Sequence, residues 1–354
     1  MSAKNFSRTR RKLLRWYDQN KRDLPWRRGE DPYAIWISET MLQQTQVATV
    51  LPYYENFLRA FPTVGALDRA PIDKVLRLWS GLGYYRRAEN LKKAARHIMR
   101  DHGGKLPQAY AALRELAGIG EYTAGAILSI AFQQRYPAID GNVRRVFGRV
   151  FAVADEKLLQ STATDLVPRS RPGDFNQALM ELGATLCRPK EPRCDCCPLA
   201  SECVANSQST QNLQSKRRNQ LKFINITWPL AIVRQRGKIL LRQRADSGLM
   251  ARLWELPGGE STARNKPMAL LRNELQQLGV DPKRRRSIGA IRHGITHRRI
   301  RAPIYLVECS ANARLRLAHK QWRWFTPKTI HRQAMSSMTA KALKLLDSHE
   351  KSPL

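Results

Sequence analysis

Residues 116 to 127 read LAGIGEYTAGAI, and the fold turns on them. Gly118 and Gly120 mark a tight turn between two apolar stretches of helical period, where bare backbone can lie close to a phosphate. Taken alone the stretch allows a second reading, because glycines also end helices routinely. Twenty residues past Gly120 stands Asp140, in AIDGNVRRVF, at a place where an aspartate ordinarily caps a helix start. Upstream, Asp31-Pro32 begins another helix: the aspartate satisfies free N–H groups, and proline loses nothing at the first helical position. That helix carries Glu39 among Ile35, Ile37, Met41 and Leu42. Burial there would raise its pKa, whereas an exposed helix glutamate is the commoner fate of the residue type.

Downstream, five of the six cysteines fall within residues 187 to 203. Cys187, Cys194, Cys197 and Cys203 are separated by six, two and five residues, close enough for one loop to wrap four thiolates around a single centre. Zinc sites normally pair two short Cys-x-x-Cys knuckles across a longer gap, so a 4Fe–4S cluster is favoured over structural zinc. Arg188, Lys190 and Arg193 line this loop and could meet phosphates in fixed geometry. Cys196 and Cys309 are expected to be bystanders.

Lys and Arg number 62 against 29 Asp and Glu, a net charge of +33 that suits a polyanionic partner and makes nucleic acid the first expectation. No run nears the roughly 20 apolar residues of a membrane span. The start MSAKNFSRTRRKLLRWY lacks a signal-peptide core and reads as an amphipathic first helix with Leu13, Leu14, Trp16 and Tyr17. A soluble, intracellular protein is expected, cytoplasmic beside a bacterial nucleoid or nuclear in a eukaryote.

From Asp31 to about Ala205 the pattern is helical. SQSTQNLQSKRRNQLK, residues 207–222, is polar and basic and reads as a connector. Beyond it ITWPLAIVRQRGKILLRQR alternates around a probable Arg-Gly hairpin, PMALLRNELQQLGV is helical and APIYLVEC is a strand. The second part is therefore α+β. KRRR at 283–286 and RRIR at 298–301 are dense basic clusters.

The hairpin glycines, the aspartate and the cysteine loop, in that order and spacing, resemble the helix-hairpin-helix base-excision glycosylases, with Ala117 where that hairpin usually has proline. SETMLQQTQV at 38–47, GLGYYRRAENL at 81–91 and the added second part resemble, within that superfamily, the MutY family of adenine glycosylases acting opposite 8-oxoguanine. The resemblance spans nearly the whole chain. It implies a mainly α catalytic region over 1–206, with a six-helix barrel over about 28–136 and an iron–sulfur subdomain from 1–27 plus 137–206. A connector over 207–224 and a MutT-like, or Nudix-fold, reader of 8-oxoguanine over 225–354 complete it.

Carried over residue by residue, the resemblance makes Glu39 the general acid and Asp140 the ionised carboxylate facing the sugar. Asn142 and Tyr122 stand beside them. Lyase members of the superfamily use a lysine amine at position 122 to form a Schiff base; a phenol cannot, so hydrolysis without programmed strand cleavage is implied. Gln44, Thr45 and Tyr84 match residues that enter or flank the base stack, Gly118 and Gly120 the phosphate-binding turn, and Trp26, Arg27 and Gln177 the adenine pocket. Asn273, Gln276 and Gln277 replace the glutamates that hold Mg²⁺ in active Nudix enzymes. Ile295-Thr296-His297 matches a Phe-Ser-His loop that reads the lesion, keeping a hydroxyl and the histidine but not the aromatic ring. The implied partner is duplex DNA with A opposite 8-oxoguanine or G, bound by a monomer.

Two rivals share some of these features. An endonuclease III-like lyase would have the hairpin, Asp140 and the cluster, but Tyr122 and the second domain oppose it. A non-enzymatic damage binder would not need Glu39 and Asp140 together.

Overall fold

Asp31 caps the helix it was expected to start, accepting from the Tyr33 N–H at 3.0 Å, with Pro32 in the first helical position. The computed structural model describes residues 3–208 and 223–351 except 247, 249, 262–266, 282, 284, 296, 314 and 317–320. Thr296 and residues 209–222 of the expected connector therefore lie outside the described residues. The chain divides into two compact units, Met1–Ala70 with Glu89–Asn219, and Pro71–Ala88 with Gln220–Leu354.

The helices in chain order are α1 (Ala3–Asn20), α2 (Pro32–Leu42), α3 (Val47–Ala60), α4 (Val64–Arg69), α5 (Ile72–Leu78), α6 (Arg86–Asp101), α7 (Tyr110–Glu115), α8 (Glu121–Phe132), α9 (Gly141–Val150), α10 (Glu156–Leu166), α11 (Pro172–Thr185) and α12 (Val204–Ser207). The span 28–136, expected as a six-helix barrel, holds seven of them, because Pro62 and Pro71 restart the chain before the short α4 and α5. Residues 71–88, placed by sequence in the catalytic region, group with the second unit. There the Ser80 and Tyr85 hydroxyls donate to the Met335 carbonyl at 2.7 and 3.1 Å.

In the first unit Leu13 and Tyr17 of α1 are buried against α9 and α11 residues such as Phe147 and Phe175, as the amphipathic reading required. The turn between α7 and α8 is the hairpin. Gly118 has φ +84°, and a Cβ there would lie 2.9 Å from the Asn90 Cβ, so both conformation and space demand glycine. Gly120 then caps α8 in an extended conformation.

The second unit is built on a seven-stranded mixed sheet. Its strands are β1 (Ile224–Thr227), β2 (Leu230–Gln235), β3 (Lys238–Gln243), β4 (Trp254–Glu255), β5 (Arg285–Ile295), β6 (Arg298–Glu308) and β7 (Trp322–Phe325). Arg236 and Gly237, at φ +48° and +70°, make the tight β2–β3 hairpin. β6 pairs with β5 antiparallel and with β1 and then β2 in parallel. The helices of this unit are α13 (Pro267–Gln277), α14 (Pro327–Ile330) and α15 (Ser337–Lys351). β2 is buried on both faces: Leu230 and Ile232 meet α15, and Ala231 and Val233 meet α13. Among the described residues no helix is long and apolar enough to cross a membrane.

Candidate active site

Glu39 lies on α2 in a run where Ile35, Trp36, Ile37 and Met41 are all buried, and is itself 5 % exposed. Its neighbour is a phenol: the Tyr122 hydroxyl, from the second residue of α8, donates to Glu39 Oε2 at 2.5 Å. Burial raises the Glu39 pKa most, the tyrosine hydrogen bond lowers it, the charge of Asp140 raises it again and that of Arg27 lowers it, leaving the carboxyl at about 7. The Tyr122 phenol is pushed well above its ordinary value by burial and by both carboxylates, so it stays a donor.

Asp140 caps α9, its Oδ1 accepting from the Val143 N–H at 2.7 Å and its Oδ2 from the Asn142 amide at 2.8 Å. Burial raises its pKa, against hydrogen bonds from Val143 and Asn142 and the charge of Arg145. N–H donors hold Asp140, whereas one hydroxyl holds Glu39.

Behind Asp140 runs a chain of contacts that the sequence reading missed. Arg145 donates to Asn142 Oδ1 at 2.8 Å, to the Gly183 carbonyl at 2.7 Å and to the Cys187 carbonyl at 2.8 Å. A Cβ at Gly183 would lie 2.6 Å from the Asn142 Cβ, so glycine is what lets α11 come this close. One turn on, the buried Arg149 guanidinium donates to the Arg188 and Pro189 carbonyls at 2.7 and 3.0 Å. Arg145 and Arg149 follow the expected Asn142 at three- and four-residue spacing on one helix, the signal that could have found them.

Cys187, Cys194, Cys197 and Cys203 line one hollow together with Arg149, Leu182 and Leu186. Burial, and then the nearby Cys187, Cys203 and Cys194, push the Cys197 thiol up to about 11. Burial of this kind favours the thiol over the thiolate, and a cationic centre would reverse it. Among the described residues no three His, Cys, Asp or Glu side chains converge tightly enough for a single metal ion. The exposed Cys196 is absent from the walls of the hollow.

Trp26, Arg27 and Gln177 do come together, around a cleft of about 210 Å³ that Glu39 does not line. Arg27 is committed to the buried Glu181 at 2.8 Å, as is Arg22 at 2.6 Å. Gln44 and Tyr84 are exposed non-glycine residues at φ +57° and +49°, a conformation rare for their type. Thr45 follows in the same turn, its N–H donating to the Leu42 carbonyl at 3.2 Å.

In the second unit Asn273, Gln276 and Gln277 are exposed on α13. Glu274 instead accepts from Arg242 at 2.8 Å and from the Gly258 N–H at 2.5 Å. Ile295 turns toward the core under α15, and the His297 carbonyl accepts from the Ile224 N–H at 2.9 Å.

A deeply set carboxyl poised near neutrality, beside a capping aspartate and a phosphate-type hairpin, defines a base-excision enzyme. Residues 37–169 match the HhH-GPD superfamily of base excision DNA repair proteins, and residues 229–345 match the NUDIX domain. Among solved structures, the first unit's fold aligns with a thermostable thymine-DNA glycosylase at a TM-score of 0.55 and 30 % identity, over 58 % of this chain and all of that one. A trapped endonuclease III–DNA covalent intermediate aligns at 0.53 and 20 % identity, over 59 % of this chain and 99 % of that one. The adenine DNA glycosylase of Rattus norvegicus is 36 % identical over 97 % of this chain and 78 % of its own length. That of a Buchnera aphidicola strain is 30 % identical over 94 % and 97 %. The chain belongs to the adenine DNA glycosylase family, and its activity is the family's excision of adenine in base excision repair.

Proposed function

We propose that the chain hydrolyses adenine from pairs with 8-oxoguanine or guanine, without strand cleavage, using Glu39 as general acid and Asp140 as ionised partner. The observation that carries this is the buried Glu39, held at about 7 by a cavity whose hydrogen-bond donor to it is Tyr122. A carboxyl with that pKa keeps a proton at working pH and can still release it. Adenine flips out of the stack, and Glu39 gives its proton to a ring nitrogen as the glycosidic bond breaks, the bonding electrons leaving with the base. The ionised Asp140 faces the positive charge left at the sugar, and water then adds at that carbon with its proton passing to a carboxylate. Asn142 and Arg145 hold Asp140 for that step. Tyr122 offers no amine for an imine.

The strained backbone at Gln44 and Tyr84 supports their entry into the stack. Cys187, Cys194, Cys197 and Cys203 would hold a 4Fe–4S cluster, which supplies a rigid anchor for the basic loop and no step of the chemistry. The second unit reads the opposite base near His297; its fold and its exposed amides at 273, 276 and 277 support a reader over a hydrolase.

The test is single-turnover adenine release from A opposite 8-oxoguanine, G and T, followed by alkali and by borohydride trapping. Release that is fastest opposite 8-oxoguanine, with strand breaks only after alkali, is expected. Efficient borohydride trapping would overturn the monofunctional reading, and iron and labile sulfide below stoichiometry in anaerobically purified protein would overturn the cluster.

A further inference from the structure

The region formed by β1, β6 and β5 carries a surface that takes no part in the proton transfer at Glu39. Pairing sets Asn225 beside Arg299, Thr227 beside Arg301, and Arg292 opposite Arg301. Side chains alternate along a strand, so these residues share one face, while Ile291, Ile295, Ile300 and Ala302 share the other and enter the core. Tyr305 and Val307 continue the first face under α13. Arg301 and Arg299 lie beyond that cover and are exposed.

Just before β1 stands Phe223, 54 % exposed, with the Arg299 guanidinium 4.2 Å from its ring centre. The next residue, Ile224, bonds the His297 carbonyl, which fixes the ring beside the β5–β6 turn. A phenylalanine kept in water forgoes the stabilisation of burial, and the guanidinium above it orients the ring without covering it. Arg292 and Arg301 face each other directly, a like-charge pair that destabilises a sheet unless an anion lies between them. Neither forms a salt bridge with a described carboxylate. Exposed guanidinium groups along one strand face, with an exposed aromatic ring at its end, match the chemistry of phosphates and nucleobases together.

We propose that Phe223, backed by Arg299, stacks on the DNA strand opposite the excised adenine, while Arg292 and Arg301 hold its phosphates. The inference rests on the reading of the second unit as the sensor of the opposite base. It moves that unit's aromatic contact from the turn, where Ile295 faces inward, to the start of β1.

The experiment uses the full chain and compares single-turnover adenine release opposite 8-oxoguanine and opposite G for wild type, Phe223→Ala and Phe223→Trp, with thermal melting of each. The 8-oxoguanine to G rate ratio is expected to fall about tenfold in Phe223→Ala and to persist in Phe223→Trp, the size of one lost base–aromatic stack. Arg292→Gln with Arg301→Gln is expected to weaken binding of every duplex alike and to flatten its salt dependence by roughly two phosphate contacts. A wild-type ratio of one would sink the reading of the second unit. A clear wild-type ratio that survives intact in a normally melting Phe223→Ala would leave that reading standing and overturn the Phe223 assignment.

Discussion

Glu39 in the first unit and Glu255 in the second are equally deep, at 5 and 3 % exposure, and chemically opposite. Glu255 accepts from Arg242 at 2.7 Å and Arg244 at 2.6 Å, and Arg242 also reaches Glu274 at 2.8 Å. Glu39 is bonded by a neutral phenol. Burial alone disfavours a carboxylate, and the charge of the partner decides whether the group ionises. Glu181 makes the point inside the first unit: burial would raise it, yet hydrogen bonds from Arg22 and Arg27 hold it below its ordinary value. Glu181, held by two arginines, braces the fold, whereas Glu39, held by a tyrosine, keeps a raised pKa.

The strongest way to break this comparison is Glu39→Gln, which keeps shape and hydrogen bonding but carries no labile proton. Single-turnover release should fall by about 10³-fold, and the wild-type rate should decline as pH rises through about 7, where the acid loses its proton. A rate that climbs through that range would mean Glu39 acts ionised. The same exchange in the second unit should do the reverse. Glu255→Gln leaves Arg242 and Arg244 short of a counter-charge and should cost roughly 3 kcal/mol of stability in that unit, read by thermal or urea melting. Single-turnover release of the folded variant from A opposite G should stay near wild type.

Arg145→Gln sharpens the comparison from the side of Asp140. It loses contacts to Asn142, Gly183 and Cys187 at once. Release should fall on the order of 10²-fold through a misplaced carboxylate, while duplex affinity measured with an uncleavable adenine analogue changes far less. Equal losses in both would make Arg145 a binding residue instead.

The residue types carried most of the acid site in the sequence. Glycines at 118 and 120, the capping Asp140 and the apolar neighbours of Glu39 each have a local cause that a chain of letters displays. Glu255 and Glu274 were not legible as a pair, since only folding brings β4, β3 and α13 to Arg242. The facing of Ile295 was hidden for a different reason. A register shift between Ser287 and Gly289 resets which side chains of β5 look inward, and no periodicity count contains it. Phe223 escaped notice because it closes a polar connector, where an aromatic residue gives no pattern.

The smallest effect is the most discriminating. If the phenol merely positions Glu39, Tyr122→Phe should slow release and leave its pH profile in place. The structure says otherwise, because the Tyr122 hydroxyl stabilises the ionised form of Glu39 and so lowers its pKa. Removing that donor leaves burial and the charge of Asp140, which raise it, opposed by the charge of Arg27 alone. The acid then stays protonated to higher pH, and the declining limb of the rate should move upward from about 7. At pH 6 the loss should be less than about tenfold, one hydrogen bond's worth, and at pH 8 the gap to wild type should narrow as the larger protonated fraction compensates. A limb that moves downward would show that Tyr122 supports the protonated carboxyl, and the distinction between a phenol that tunes and an arginine that fixes would fail.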